Sequence, residues 1–162
     1  MAEERIELTQ LLNQQYLCES LTIKEVQTLI DYTELVTCKK DETIAEIGEV
    51  GDALYFIVSG EISLIRADEG KDNEVARVQK GELMGEMSFF DKRPRTVRLV
   101  AASSDTKMLK LTRAMYDRLK VEHPFIAVNL LETAIVSLDH LFRRVSKDIT
   151  TFANYFYAPG RK

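Results

Sequence analysis

Glu86 follows Gly85, and nine positions later Arg95 follows Pro94. An ionised carboxylate only accepts hydrogen bonds, so Glu86 suits a sugar hydroxyl. A guanidinium is planar and permanently charged, and its fork matches phosphate oxygens, so Arg95 suits a phosphate. Gly85 has no Cβ and lets backbone approach a ligand closely, while Pro94 fixes the chain just before the arginine. Met87–Phe90 is predicted to form a short helical turn whose first N–H groups favour an anion. Ser88 is expected to add a hydroxyl donor. Together these residues suit a small molecule with a sugar hydroxyl at one end and a phosphate at the other. The same two charges could also pair with each other in an empty barrel, so the surrounding chain has to decide.

That chain has 162 residues, 45% of them hydrophobic and 30% charged, enough for one domain with a real core. Leu8, Leu11 and Leu12 share a helical face and predict a helix over 4–16. Thr22-Ile-Lys-Glu25 is a capping box opening a second helix, which ends near Tyr32. From Glu34 to about Leu111 the texture changes. Ala53–Val58, Glu61–Arg66, Glu74–Gln79, Thr96–Ala102 and Lys107–Leu111 are short β-type runs. Turn signals separate them at Gly48–Asp52, Ser59-Gly60, Asp68–Asn73, Gly81 and Ser103–Asp105. Many short strands at this spacing predict a barrel or jelly roll. Thr112 caps a short helix over Arg113–Val121, and a long helix begins near Pro124.

The fold class expected is therefore α+β: an antiparallel β-roll, a jelly-roll barrel, flanked by N-terminal helices and a long C-terminal helix. As one domain over 1–162, it divides into N-terminal helices (1–32), the roll (33–111) and C-terminal helices (112–157). In the last helix Val128, Leu131, Ile135, Leu138, Phe142, Val145, Ile149, Phe152 and Phe156 alternate spacings of three and four. This is a heptad stripe. A helix over Phe125–Phe156 is roughly 48 Å long, more than the roughly 35 Å of a compact domain of about 120 residues. It must overhang and find a partner, or break near Lys147 and fold back. Self-association is the expectation, although Glu132, Asp139, Leu141 and Ser146 do not supply the usual flanking charge pairs.

Gly51-Asp52, Tyr55-Phe56, Ser59-Gly60-Glu61, Gly85-Glu86 and Pro94-Arg95 occur in an order that resembles the cyclic nucleotide-binding domain family. That family includes the sensor domains of catabolite activators and protein kinase A regulatory subunits. The resemblance covers roughly residues 16–145. It implies a β-roll with helices at both ends, with Glu86 holding the ribose and Arg95 the cyclic phosphate. Gly85, Glu86, Met87, Ser88, Pro94, Arg95, Thr96 and Val97 are the expected ligand-binding residues. In the family the last helix covers the purine, and Leu138, Leu141 and Phe142 are the apolar choices for that lid. Two positions depart from the family pattern: Val97 stands where a small residue is usual, and Arg98 where threonine is common. Arg98 is expected to point to solvent. A hydroxyl after the arginine can bond the 2-amino group of guanine, so Thr96 permits cyclic GMP. Cyclic AMP is the first expectation.

Other chemistry is poorly supported. A metal-dependent enzyme on a jelly roll needs clustered imidazole and carboxylate ligands. The only two histidines, His123 and His140, fall outside the predicted strands. His123 is expected in a turn between helices and His140 on an exposed helix face. No phosphate loop or nucleophile–base pair stands out, so no catalytic residue, metal or cofactor is expected. Cys18 and Cys38 lack ligand spacing and are expected to be reduced and buried, in a cytoplasmic protein. The net charge of −4 favours no nucleic acid. No apolar run is expected to approach the roughly 20 residues of a membrane span. Lys71–Asn73 and Arg143-Arg144 read as solvated surface.

The chain stops at Lys162, leaving no room after the long helix for a helix-turn-helix module. The expectation is a stand-alone, non-enzymatic receptor that dimerises through its last helix and signals to an unknown downstream protein. Two alternatives are a degenerate dimerisation module and a sensor fragment of a larger transcription regulator.

Overall fold

The computed structural model describes residues 2–157, and side chains except those of 16, 144, 145, 148 and 150–157. Helix α1 spans Ala2–Asn13 and a single 3-10 turn follows at Tyr16–Cys18. Helix α2 spans Ile23–Asp31, and the capping box is present: Thr22 accepts from the Glu25 amide and Glu25 accepts from the Thr22 amide. Eight strands follow: β1 (Glu34–Cys38), β2 (Thr43–Ala45), β3 (Ala53–Ser59), β4 (Glu61–Asp68), β5 (Lys71–Gln79), β6 (Leu83–Met84), β7 (Arg98–Ala101) and β8 (Thr106–Thr112). Helix α3 (Glu86–Asp91) interrupts them, and α4 (Arg113–Glu122) and α5 (Pro124–Tyr157) close the chain.

The strands form two four-stranded antiparallel sheets, ordered β1-β8-β3-β6 and β2-β7-β4-β5. They make the expected jelly roll. Strand β3 reads as an unbroken apolar run because both of its faces are covered. Ala53, Tyr55 and Ile57 point into the roll, joining Ile62, Leu99 and Met108. Leu54, Phe56 and Val58 point the other way, against Leu12, Leu29, Leu119 and Ile126 of the helices. The two-residue period of a strand sorts alternate side chains to opposite layers. Cys18 and Cys38 are buried and free, and burial pushes the Cys18 thiol up to about 12.

Several boundaries differ from those expected. Helix α1 ends three residues early. Strand β5 begins at Lys71, inside the stretch expected to be a long turn, because only Glu69 and Gly70 turn the chain. Both have positive φ, 52° and 78°, which suits the twist of a tight hairpin. Strands β2 and β6 have three and two residues, too few for periodicity to reveal.

Helix α5 runs unbroken for 34 residues, with no interruption near Lys147. Thr112 caps α4 as expected, and His123 sits between α4 and α5 with its ring edge-on to Tyr32. By length and composition Pro124–Arg143 is apolar enough to cross a membrane, which corrects the expectation of no such run. Here one face of that stretch docks on the protein: Ile126, Ala127, Leu130 and Ala134 are buried, and Asn129 donates to the Leu17 carbonyl. The opposite face exposes Val128, Leu131, Ile135, Phe142 and Ile149. The remaining stripe positions Val145, Phe152 and Phe156 lie outside the described side chains.

Candidate functional site

Gly85 adopts a left-handed conformation, φ 87°, and starts α3 without a side-chain cap. A Cβ there would lie 3.2 Å from the Ala53 carbonyl oxygen. The turn therefore needs glycine for both its φ and its space. It places Glu86 at the head of α3, where the residue is only 7% exposed. Burial pushes the Glu86 carboxyl above its ordinary value of 4.5. Its own amide, the Ser137 hydroxyl and the field of Arg95 pull it partly back. Ser137 Oγ, on α5, donates to Glu86 Oε1 at 2.9 Å.

A raised folded-state pKa means that the folded chain binds this proton more tightly than the unfolded chain. Its contribution to stability is therefore present in acid and lost as pH rises from 4.5 through the raised value. The melting temperature of the ligand-free chain between about pH 4.5 and 7 is expected to fall less steeply with pH in Glu86→Gln than in the parent.

Arg95 is anchored through its backbone: its amide donates to the Glu49 carbonyl and its carbonyl accepts from Gly48, both at 2.8 Å. A bridge pairs Val50 with Pro94. Among the described residues the Arg95 guanidinium has no ion pair, and Glu86 does not bond it. The structural Glu86–Arg95 salt bridge is thus not formed. Gly51 makes room for the guanidinium, since a Cβ there would stand 2.9 Å from Arg95 Nη2 and 3.0 Å from the Phe89 amide nitrogen.

Ser88 does something other than expected. Its oxygen accepts from the Gly51 amide at 2.6 Å, and its hydroxyl donates to the Arg93 carbonyl at 2.6 Å. The hydroxyl proton is committed within the protein and holds the 85–97 cassette together. Arg113 adds a second tie: its Nη2 donates to the carbonyls of Gly51 and Phe89, with the guanidinium 4.3 Å above the Phe89 ring. Arg98 does not point freely to solvent. It bonds Glu46 at 2.7 Å and Asp72 at 3.2 Å, and holds the Glu46 carboxyl below its ordinary range.

A cavity of about 460 Å³ lies between the β2-β7-β4-β5 sheet, α3 and α5. Gly85, Glu86, Met87, Ser88, Pro94, Arg95, Thr96 and Val97 all line it. Val97 also packs against the apolar interior of the roll. Helix α5 contributes Thr133, Val136, Ser137, His140 and Leu141. Of the three residues expected as a lid, only Leu141 is on the cavity wall. Leu138 and Phe142 are off it, because each residue turns the helix by about 100°. The cavity face and the exposed apolar stripe are therefore nearly opposite. Ser137 and His140 were missed by looking only for apolar lid residues. Their signal was the polar series Thr133, Ser137 and His140, spaced four and three on an otherwise apolar helix.

A family model described as the cyclic nucleotide-binding domain matches residues 35–123. The cyclic AMP receptor protein of Thermus thermophilus is 34% identical over 115 residues, which make up 70% of this chain and 53% of that protein. A cAMP-dependent protein kinase regulatory subunit of Mucor circinelloides is 29% identical over 90 residues, 56% of this chain and 21% of the subunit. The aligned region is thus about half of the first relative and about a fifth of the second. A solved cyclic nucleotide-binding domain from Methylobacillus flagellatus superposes with a TM-score of 0.79 at 25% identity, over 92% of this chain and 84% of that one.

Proposed function

The chain belongs to the cyclic nucleotide-binding domain family, and from that premise we propose that it is a non-enzymatic receptor for a 3′,5′-cyclic purine nucleotide. The observation that carries this reading is a guanidinium without an ion pair among the described residues and a buried carboxylate, both on the wall of one cavity and not bonded to each other. Such a cation suits a ligand anion, so Arg95 takes the cyclic phosphate. Glu86 accepts from the ribose 2′-hydroxyl. Apolar wall residues such as Val97 and Leu141 pack the base. Cyclic AMP is the first ligand, and Thr96 leaves cyclic GMP as the second.

The whole chain acts as one such domain, in the cytoplasm, without a metal, a cofactor or a catalytic residue. Its partners are the nucleotide, a second copy and a downstream protein, rather than nucleic acid or membrane. Helix α5 transmits the signal, since it forms one wall of the cavity and bears the exposed stripe on its other side. Calorimetric titration of ligand-free protein with cyclic AMP and cyclic GMP tests the reading. Heat with either supports a receptor, and the tighter ligand sets the base preference. No heat with either leaves a degenerate dimerisation module. A shift of promoter-length DNA would favour the transcription-regulator reading.

The second copy is expected to pack on the α5 stripe. Light scattering should give twice the chain mass for the parent and the monomer mass for Ile135→Asp combined with Phe142→Asp. Both side chains are exposed in the single chain, so loss of the dimer should leave the melting temperature of the roll nearly unchanged. A monomeric parent at high concentration, with and without nucleotide, would defeat the stripe as a seam.

A further inference from the structure

We propose that Arg98 is a positioning residue for the guanidinium of Arg95, acting through Glu46 and the 46–51 loop. The inference rests on the receptor reading of the cavity. Val97 and Leu99 line the cavity. The two-residue period of a strand turns Arg98, between them, to the outer face of β7. From there its Nε donates to Glu46 Oε1 at 2.7 Å, and its Nη1 reaches across β4 to Asp72 on β5 at 3.2 Å. Its side chain is less exposed than either carboxylate. A planar fork bonded to two carboxylates from different elements is held in one orientation, which an ammonium would not match.

Glu46 opens the loop that grips Arg95. Its Oε1 also accepts from the Ile47 amide. Its own amide donates to the Glu49 carboxylate, and its carbonyl accepts from the Glu49 amide. Gly48 and Glu49 then bond the Arg95 carbonyl and amide. Ala45 pairs with Leu99 at one end of this run, and Val50 bridges to Pro94 at the other, with equal lengths of chain between. Segments 45–50 and 94–99 therefore lie side by side in one antiparallel register. Backbone bonds close the end nearer the cavity, and the Glu46–Arg98 pair closes the end nearer β2. Strand β2 has three residues and a register shift between Thr43 and Ala45, so its ladder alone is a weak anchor. Arg98 thus fixes where the loop sits, and the loop fixes where Arg95 starts from. A fork aimed before the ligand arrives lowers the ordering cost of binding. Arg98 does this from outside the cavity, at one of the two positions where the chain departs from the family pattern.

The test titrates cyclic AMP into the full chain carrying Arg98→Thr, Glu46→Ala or both, and into Arg98→Thr combined with Arg95→Ala. Threonine favours strands, so β7 is retained. Each single variant is expected to weaken cyclic AMP about fivefold, and the pair together no further, since either change removes the same tie. The two singles alter the net charge in opposite directions. A field acting on the phosphate would therefore weaken binding in Arg98→Thr and tighten it in Glu46→Ala, which would overturn the proposal. In the Arg95→Ala background Arg98→Thr is expected to change affinity by less than about twofold, because its effect passes through Arg95. Equal weakening with and without Arg95, or no weakening in the parent, would overturn it as well. If the parent binds no nucleotide, the receptor reading fails by itself. Hydrogen exchange of the Gly48 and Arg95 amides in the ligand-free chain then decides the tie. Faster exchange in Arg98→Thr supports it, and unchanged exchange defeats it.

Discussion

Arg95→Ala is expected to weaken cyclic nucleotide binding by roughly a hundredfold or more, while the melting temperature stays within about a degree of the parent. The first number follows from removing a forked, charge-assisted pair with phosphate, about 3 kcal/mol or more. The second follows from what Arg95 does in the ligand-free chain. Its structural contacts are made by its backbone, to Glu49 and Gly48, and survive the substitution. Its guanidinium has no ion pair among the described residues. Calorimetric titration and a thermal melt on the same sample check both halves. Unchanged affinity would remove Arg95 from the phosphate site. A large loss of stability would mean that the guanidinium is a structural group after all.

Phe89→Ala is the substitution expected to cost most in stability, about 3–5 kcal/mol. Phe89 is fully buried. Its ring stands edge-on to Phe90 at 5.1 Å and to Tyr116 at 5.4 Å, with the Arg113 guanidinium 4.3 Å away. It therefore joins α3, which carries Glu86, to α4. Urea titration should show the loss directly, and the melting temperature should fall by roughly 10 °C. Phe90→Ala is the control: that ring is 38% exposed and stacks on the same neighbours, so its loss should be clearly smaller. If the two variants were equally unstable, packing around Phe89 would not be what holds the cassette.

Gly85-Glu86 and Pro94-Arg95 were too weak a signal alone; they became legible in order with Gly51-Asp52, Tyr55-Phe56 and Ser59-Gly60-Glu61, through the family resemblance, and Glu86 and Arg95 line one cavity. Strand β3 was legible as an apolar run, although only the structure shows that the run reflects two covered faces. What was not legible depends on residues far apart in sequence. Ser88 looked like a ligand donor until Gly51 and Arg93 came within 2.6 Å of its oxygen. Arg98 looked solvated until Glu46 and Asp72 met it from two other strands or loops. On α5 the heptad stripe drew attention to Leu138 and Phe142, while the cavity took the face turned away from them. A helical stripe marks the side that needs covering, and it does not show which neighbour does the covering.

The edges of the two sheets carry a consequence for how this protein can stick to itself. A sheet edge is an open row of backbone donors and acceptors, and proteins blunt it with short or charged strands. One sheet ends in β2, three residues long, and in β5, whose first five residues are all exposed and include Lys71, Asp72 and Glu74. The other ends in β6, two residues long, and in β1, which starts at Glu34. Neither sheet offers a long apolar template to another chain. The apolar surface left open is concentrated on α5. Strand addition between copies, which can propagate without limit, is thereby disfavoured at the edges of both sheets.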